Sequence, residues 1–189
     1  LNGGVNWVQQ ESNLTTDLEK VFFSSSFTGY IIGNTGTILK TTNGGANWIS
    51  SGISFGFLDQ VVGVSQTDTN TIIGVTNSSD RVLKTTNRGN SWNEYSFGPT
   101  IDDIPRASTF INSNTGYMVT SLAAIYKTLN GGVNWSLDST FITAYYRIGI
   151  FWNVCTYDTN IVAVTGGGGN IIKSTNSGAN WTVQAGNDR

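Results

Sequence analysis

The 189-residue chain has no histidine, one cysteine and few charges, and each shortage removes a class of chemistry. Without an imidazole there is no Ser-His-Asp triad, and with a single thiol beside that lack a zinc or copper site is excluded too. Cys155 has no partner for an internal disulfide, and within the run FWNVC it is read as a small buried hydrophobe. Charged residues make up 12% of the chain, about half of the roughly 25% usual in soluble domains. Asn, Thr, Ser and Gly fill the difference, a composition that suits an extracellular or cell-surface protein, with the periplasm as a further setting. The net charge is −2 and the ten basic residues are dispersed, so nucleic acid finds no electrostatic footprint. No apolar run approaches the roughly 18 residues of a membrane-spanning helix. No leader-like segment opens the sequence, and Leu1 enters in the middle of a repeated motif, so a longer upstream sequence is expected.

What the chain does have is repetition. NGGVNW ends at Trp7, KTTNGGANW at Trp48, KTTNRGNSW at Trp92, KTLNGGVNW at Trp135 and KSTNSGANW at Trp181, with spacings of 41, 44, 43 and 46 residues. A period in the range of about 20 to 50 residues marks an array of supersecondary units, none of which can bury its apolar face alone. Each unit divides into an apolar run such as Leu18 to Phe23, a polar turn, a second run such as YIIG or YMVT, a third such as TILKTT, and a fourth starting at the tryptophan. Short runs rich in Val, Ile, Thr, Phe and Tyr between Gly, Asn, Asp and Ser are strand and turn signals, and no segment has capped helical spacing. Four strands per period predict an all-β fold, a β-propeller of four-stranded antiparallel blades.

Within that frame the motif is a hairpin staple between the third and fourth strands. Asn43, Asn87, Asn130 and Asn176 are placed to bond nearby backbone amides, and the glycines after them to take positive φ. Thr41, Thr85, Thr128 and Ser174 supply a hydroxyl at one offset, and Trp48, Trp92, Trp135 and Trp181 fold back over the turn.

The pattern T-x-N-x-G-x-x-W at 41–48, 85–92 and 128–135, with its serine form at 174–181, resembles the Asp-box or bacterial neuraminidase repeat, with Asn in place of Asp. The wider stretch TGYIIGNTGTILKTTNGGANW is similar to the photosystem II stability and assembly-factor-like propellers, a group that includes many secreted proteins of Bacteroidota. This resemblance covers nearly the whole chain and implies the propeller fold. It implies little about activity, because sialidases, sortilin-type receptors and xyloglucanase-like hydrolases carry such boxes too. Asn for Asp removes a charge from every box, which argues against calcium or anion binding there.

Blade boundaries are expected at 11–52, 53–97, 98–139 and 140–189, with 1–10 as the outer strand of a preceding blade. That orphan strand has no home among four complete blades, so the chain reads as consecutive blades of a larger ring, or as one that completes itself by pairing its edge strands with copies.

Other candidate sites are thin. GGGGNIIKST at 166–175 lacks the Gly directly before Lys-Ser of a phosphate-binding loop and is read as a turn. The sialidase arrangement of clustered arginines with a tyrosine is absent, because Arg81, Arg88, Arg106 and Arg147 are scattered. Asp102 and Asp103 are adjacent, which suits a solvated loop better than a pair of carboxylates spanning a sugar. No catalytic residue, metal ligand or cofactor is assigned.

The segments joining one blade to the next vary most, and they share the face opposite the boxes. Phe55, Phe57, Phe97, Phe141, Tyr145 and Tyr146 make this loop face aromatic, and Asp102, Asp103 and Arg147 give it charge. The functional expectation is a non-catalytic secreted or surface scaffold that binds a protein or polysaccharide there. The alternatives are a carbohydrate-active enzyme with carboxylates such as Asp17, Asp59 and Asp103 converging from different blades, and a self-associating structural component.

Overall fold

The computed structural model describes residues 4–51, 60–77, 81–97, 103–140 and 150–184. It contains four antiparallel four-stranded sheets, each built from consecutive strands in chain order. The first comprises β1 (Leu18–Phe23), β2 (Gly29–Gly33), β3 (Ile38–Thr41) and β4 (Ile49–Ser50). The second has β5 (Val61–Gln66), β6 (Ile72–Thr76), β7 (Arg81–Thr85) and β8 (Asn93–Ser96). The third has β9 (Pro105–Phe110), β10 (Gly116–Thr120), β11 (Ala124–Thr128) and β12 (Ser136–Thr140). The fourth has β13 (Phe151–Thr156), β14 (Val162–Gly166), β15 (Ile171–Ser174) and β16 (Thr182–Gln184). No α-helix occurs among the described residues, and short 3-10 turns at Asn34–Gly36 and Gly167–Gly169 join β2 to β3 and β14 to β15.

The sheets are propeller blades that share a centre. Side chains from β1, β5, β9 and β13, among them Lys20, Phe22, Val64, Ser108 and Asn153, line one central cleft of about 230 Å³. The first strand of every sheet is therefore innermost. The approach there is close: a Cβ on Gly63 would meet the Ser108 backbone nitrogen at 2.6 Å, so β5 and β9 pack with no room for a side chain.

Strand alternation sends every second residue toward the preceding sheet and the rest toward the following one. Ile73, Val75 and Val82 of the second sheet thus pack on Met118, Tyr126 and Trp135 of the third. Tyr117, Val119 and Ile125 of the third pack in turn on Val154, Val164 and Ile172 of the fourth. Middle strands are covered on both faces, which is why β6 and β10 bury every residue and read as continuous apolar runs. Each such Val or Ile contributes about 1.5–3 kcal/mol by leaving water.

Residues 7–10 pair with no strand among the described residues, and Trp7 is 90% exposed. Two expectations need correction. The outer strands begin one residue after each tryptophan, because the indole is occupied in covering the turn. Cys155 is exposed rather than buried, since it lies on the side of the fourth sheet that no sheet covers among the described residues.

Candidate functional site

The four boxes that end at Trp48, Trp92, Trp135 and Trp181 close the same network. The Thr41 hydroxyl donates to Asn43 Oδ1 at 2.9 Å and accepts the backbone N–H of Gly45, while Asn43 Oδ1 accepts the N–H of Asn47. The same bonds join Thr85, Asn87, Gly89 and Ser91, then Thr128, Asn130, Gly132 and Asn134, then Ser174, Asn176, Gly178 and Asn180. The residue after each asparagine is left-handed, which Arg88 and Ser177 tolerate as well as Gly44 and Gly131. The next position is always glycine, for two reasons. Its φ is positive, from 74° to 90°, and at Gly178 a Cβ would meet the Tyr117 ring of the preceding sheet at 2.9 Å.

A second turn supports each box. Between the first and second strands, Asp68, Asn112 and Asp158 each accept two backbone N–H bonds through Oδ1, and the Ser25 hydroxyl does the same. Those bonds hold the Asp68 and Asp158 carboxyls below the ordinary carboxylate range. The box then bonds back to its own sheet: the N–H groups of Gly44, Arg88, Gly131 and Ser177 donate to the carbonyls of Phe27, Asn70, Asn114 and Asn160.

Boxes also join neighbouring sheets. Lys40 Nζ donates to Asn90 Oδ1 at 3.1 Å, Lys84 Nζ to the Gly131 carbonyl at 2.8 Å and Lys127 Nζ to the Ser177 carbonyl at 2.6 Å. Tyr30 and Tyr117, paired across the strand with Lys40 and Lys127, donate their phenols to the carbonyls of Arg88 and Ser177. Burial lowers the pKa of Lys40 and Lys84, with the Arg88 charge adding to the effect at Lys40 and Asp68 opposing it at Lys84. Burial, with Asp138 nearby, pushes the Tyr117 phenol up to about 12. The box residues are thus occupied in holding the scaffold together.

The opposite end of the sheets is different. Each inner strand opens with a register shift, and the extra residues are Glu19, Val62, Arg106 and Trp152. A bulge re-aims a side chain out of the ladder. The Arg106 guanidinium lies 5.5 Å from the centre of the Trp152 ring, and its Nε is buried with no hydrogen-bond partner. Trp152 is 55% exposed, while Glu19 accepts a bond from Gln60 Nε2 at 3.2 Å. A guanidinium stacked on an indole keeps its outer N–H groups for a planar acceptor, and the carboxylate is the natural one. Sequence reading passed over this pair. The available signal was that Trp152 is the one tryptophan of six outside a box.

The expected binding residues fare unevenly. Phe55, Phe57, Asp102, Phe141, Tyr145, Tyr146 and Arg147 lie outside the described residues. Phe97 is buried at 4% exposure and meets Tyr126 edge-on at 6.1 Å, filling the gap between the second and third sheets. Asp103 is buried too: Oδ1 accepts the Leu122 N–H at 3.0 Å and Oδ2 faces the Tyr126 hydroxyl. Both side chains are thus packed into the scaffold instead of standing exposed on the loop face. Asp103 is therefore not a solvated loop carboxylate, whereas Asp17 is exposed beside Asn34, and Asp59 lies outside the described residues.

Among solved structures, YCF48 bound to D1 peptide superposes with a TM-score of 0.60 at 19% identity, over 90% of this chain and 67% of that one. YCF48 from Cyanidioschyzon merolae gives 0.68 at 24% identity, over 92% of this chain and 58% of its own. The GH74 enzyme of Niastella koreensis gives 0.64 at 16% identity, but the match spans only 29% of that enzyme. At these identities the likeness concerns the fold alone. No curated protein sequence matches significantly. Residues 2–144, well over half of the chain, match the family described as photosynthesis system II assembly factor YCF48, and the chain belongs to that family.

Proposed function

We propose that this protein is a non-catalytic scaffold that binds a protein partner on its loop face, at the Arg106–Trp152 pair beside the central cleft. The observation that carries this reading is the pair itself, a guanidinium stacked on a half-exposed indole with Nε buried and unbonded. It suits a peptide carboxylate, either an acidic side chain or a chain end. The D1 peptide bound by a YCF48 structure supports a protein ligand as the class. Phe57 and Tyr145, expected from the sequence to belong to the loop face, lie outside the described residues and are tested alongside the pair. A secreted or surface setting is part of the proposal and rests on the low charge content.

Peptide binding by fluorescence anisotropy tests the reading, with one acidic peptide library and one library amidated at its ends and acidic side chains. Arg106→Ala and Trp152→Ala should each weaken binding about tenfold or more, while circular dichroism stays unchanged. Retained binding in both variants would reject the site. Phe57→Ala and Tyr145→Ala report whether the surface extends into the connecting segments.

A further inference from the structure

Three of the side chains that line the central cleft carry unused donors. Lys20 on β1 makes no hydrogen bond or ion pair among the described residues. Asn153 on β13 accepts the Val154 N–H through Oδ1, and its Nδ2 has no partner among them either. Ser108 on β9 is 8% exposed, and its Oγ is buried with no hydrogen-bond partner, within 2.6 Å of where a Cβ on Gly63 would stand. A buried hydroxyl left unbonded costs free energy that an acceptor would recover. The described residues that line the cleft include no carboxylate, and Phe22, Val64 and Ala107 give it apolar walls. All of these residues stand on first strands, which face the shared centre, and Ser108 belongs to the third sheet, which is packed on both sides.

We infer that the cleft binds a small monocarboxylate with a short hydrocarbon tail, at a site distinct from the Arg106–Trp152 pair. One cation and no acid in the lining match a single negative charge. Lys20 Nζ and Asn153 Nδ2 donate to the carboxylate, and the Ser108 hydroxyl joins them by turning about χ1 away from Gly63. The tail lies on Phe22, Val64 and Ala107, the usual division of a ligand site into apolar walls and a few convergent polar groups. At a water's share of about 30 Å³, the cleft volume of about 230 Å³ suits an acid of roughly four to eight heavy atoms. Butyrate is of that size. So is a glutamate side chain, which makes the anion either a free acid or part of the bound peptide, and the second source rests on the reading in the preceding subsection.

Amide NMR of the isotope-labelled 189-residue chain, titrated with butyrate and in parallel with butyramide, tests this. Butyrate should shift the amides of Lys20, Gly63, Ser108 and Asn153 along one saturable curve. Butyramide has the same shape without the charge and should bind about tenfold more weakly or not at all. Lys20→Met, at an exposed position, should weaken butyrate about tenfold, and Ser108→Ala about threefold. An acidic peptide added to the butyrate-saturated chain identifies the source. Displacement of butyrate assigns the cleft to a peptide side chain, and binding of both together assigns it to a free acid. A peptide that does not bind at all rejects the peptide reading alone and leaves the free acid as the ligand. The inference is overturned by the absence of saturable shifts at these residues, by butyramide binding as well as butyrate, or by Lys20→Met binding butyrate as the wild type does.

Discussion

Lys84 on β7 donates from Nζ to the carbonyl of Gly131 at 2.8 Å, so the cation of one sheet completes the turn of the next. Replacing it with methionine keeps the stem and removes the charge-assisted bond. Lys84→Met should cost about 1–3 kcal/mol, seen as a lower urea midpoint with an unchanged m-value. An unchanged midpoint would show that the clasp contributes nothing net.

Tyr117 makes a second bond to the same class of acceptor, and its phenol titrates near 12 in the fold. A free tyrosine titrates near 10. Because the folded value is the higher one, the stabilisation is complete below about pH 10 and drains away as pH rises toward 12. Thermal melts at stepped alkaline pH should fall across that window, and Tyr117→Phe should flatten the fall while losing about 1 kcal/mol at neutral pH. A parallel fall in both proteins would contradict the assignment.

Asn130 serves its box through Oδ1, which accepts from Thr128 and from the Asn134 N–H. An aspartate offers the same oxygen with a charge, so Asn130→Asp should fold and gain up to about 1 kcal/mol at pH 7. The bonds favour the carboxylate and depress its pKa, so the gain is present above the unfolded value and is lost as pH falls through the folded one. Asn130→Leu should lose about 1–3 kcal/mol. Equal stabilities for the three proteins would show that the network carries no weight.

Trp181 Nε1 donates to Asp138 Oδ2 at 2.9 Å, whereas Trp92 Nε1 is buried with no partner. Ser51 follows Ser50 in the first sheet as Asp138 follows Leu137 in the third, and its hydroxyl is also buried and unbonded. Ser51→Asp should supply the missing acceptor and raise stability by about 1 kcal/mol. A destabilised variant would mean that the carboxylate does not reach the indole and is left buried.

Phe97 and Arg106 separate core from face. Phe97→Ala should cost about 3–5 kcal/mol by opening a void between two sheets. Arg106→Ala should leave the unfolding midpoint nearly unchanged. If the two effects came out reversed, the assignment of scaffold and surface would be wrong.

Much of the scaffold was legible because its devices are local. The hydroxyl, asparagine, glycine and tryptophan of each box act on one another within eight residues, so spacing alone identifies them and the strands on either side. Contacts between sheets were not legible. Nothing adjacent in sequence marks Phe97 as wedged against Tyr126, or Asp103 as buried against Leu122 and Tyr126. Cys155 was misread for the same reason, since alternation gives its face but not whether that face is covered.

By itself, then, the sequence determined the repeated four-stranded sheet, because short-range hydrogen bonding and a two-residue alternation write themselves into every period. The tertiary structure decided which faces are closed and which side chains stay available, including the stacking of Arg106 on Trp152 across two sheets 46 residues apart in the chain. That outcome depends on how the sheets are arranged around a shared centre, and pairs so remote leave no periodic trace.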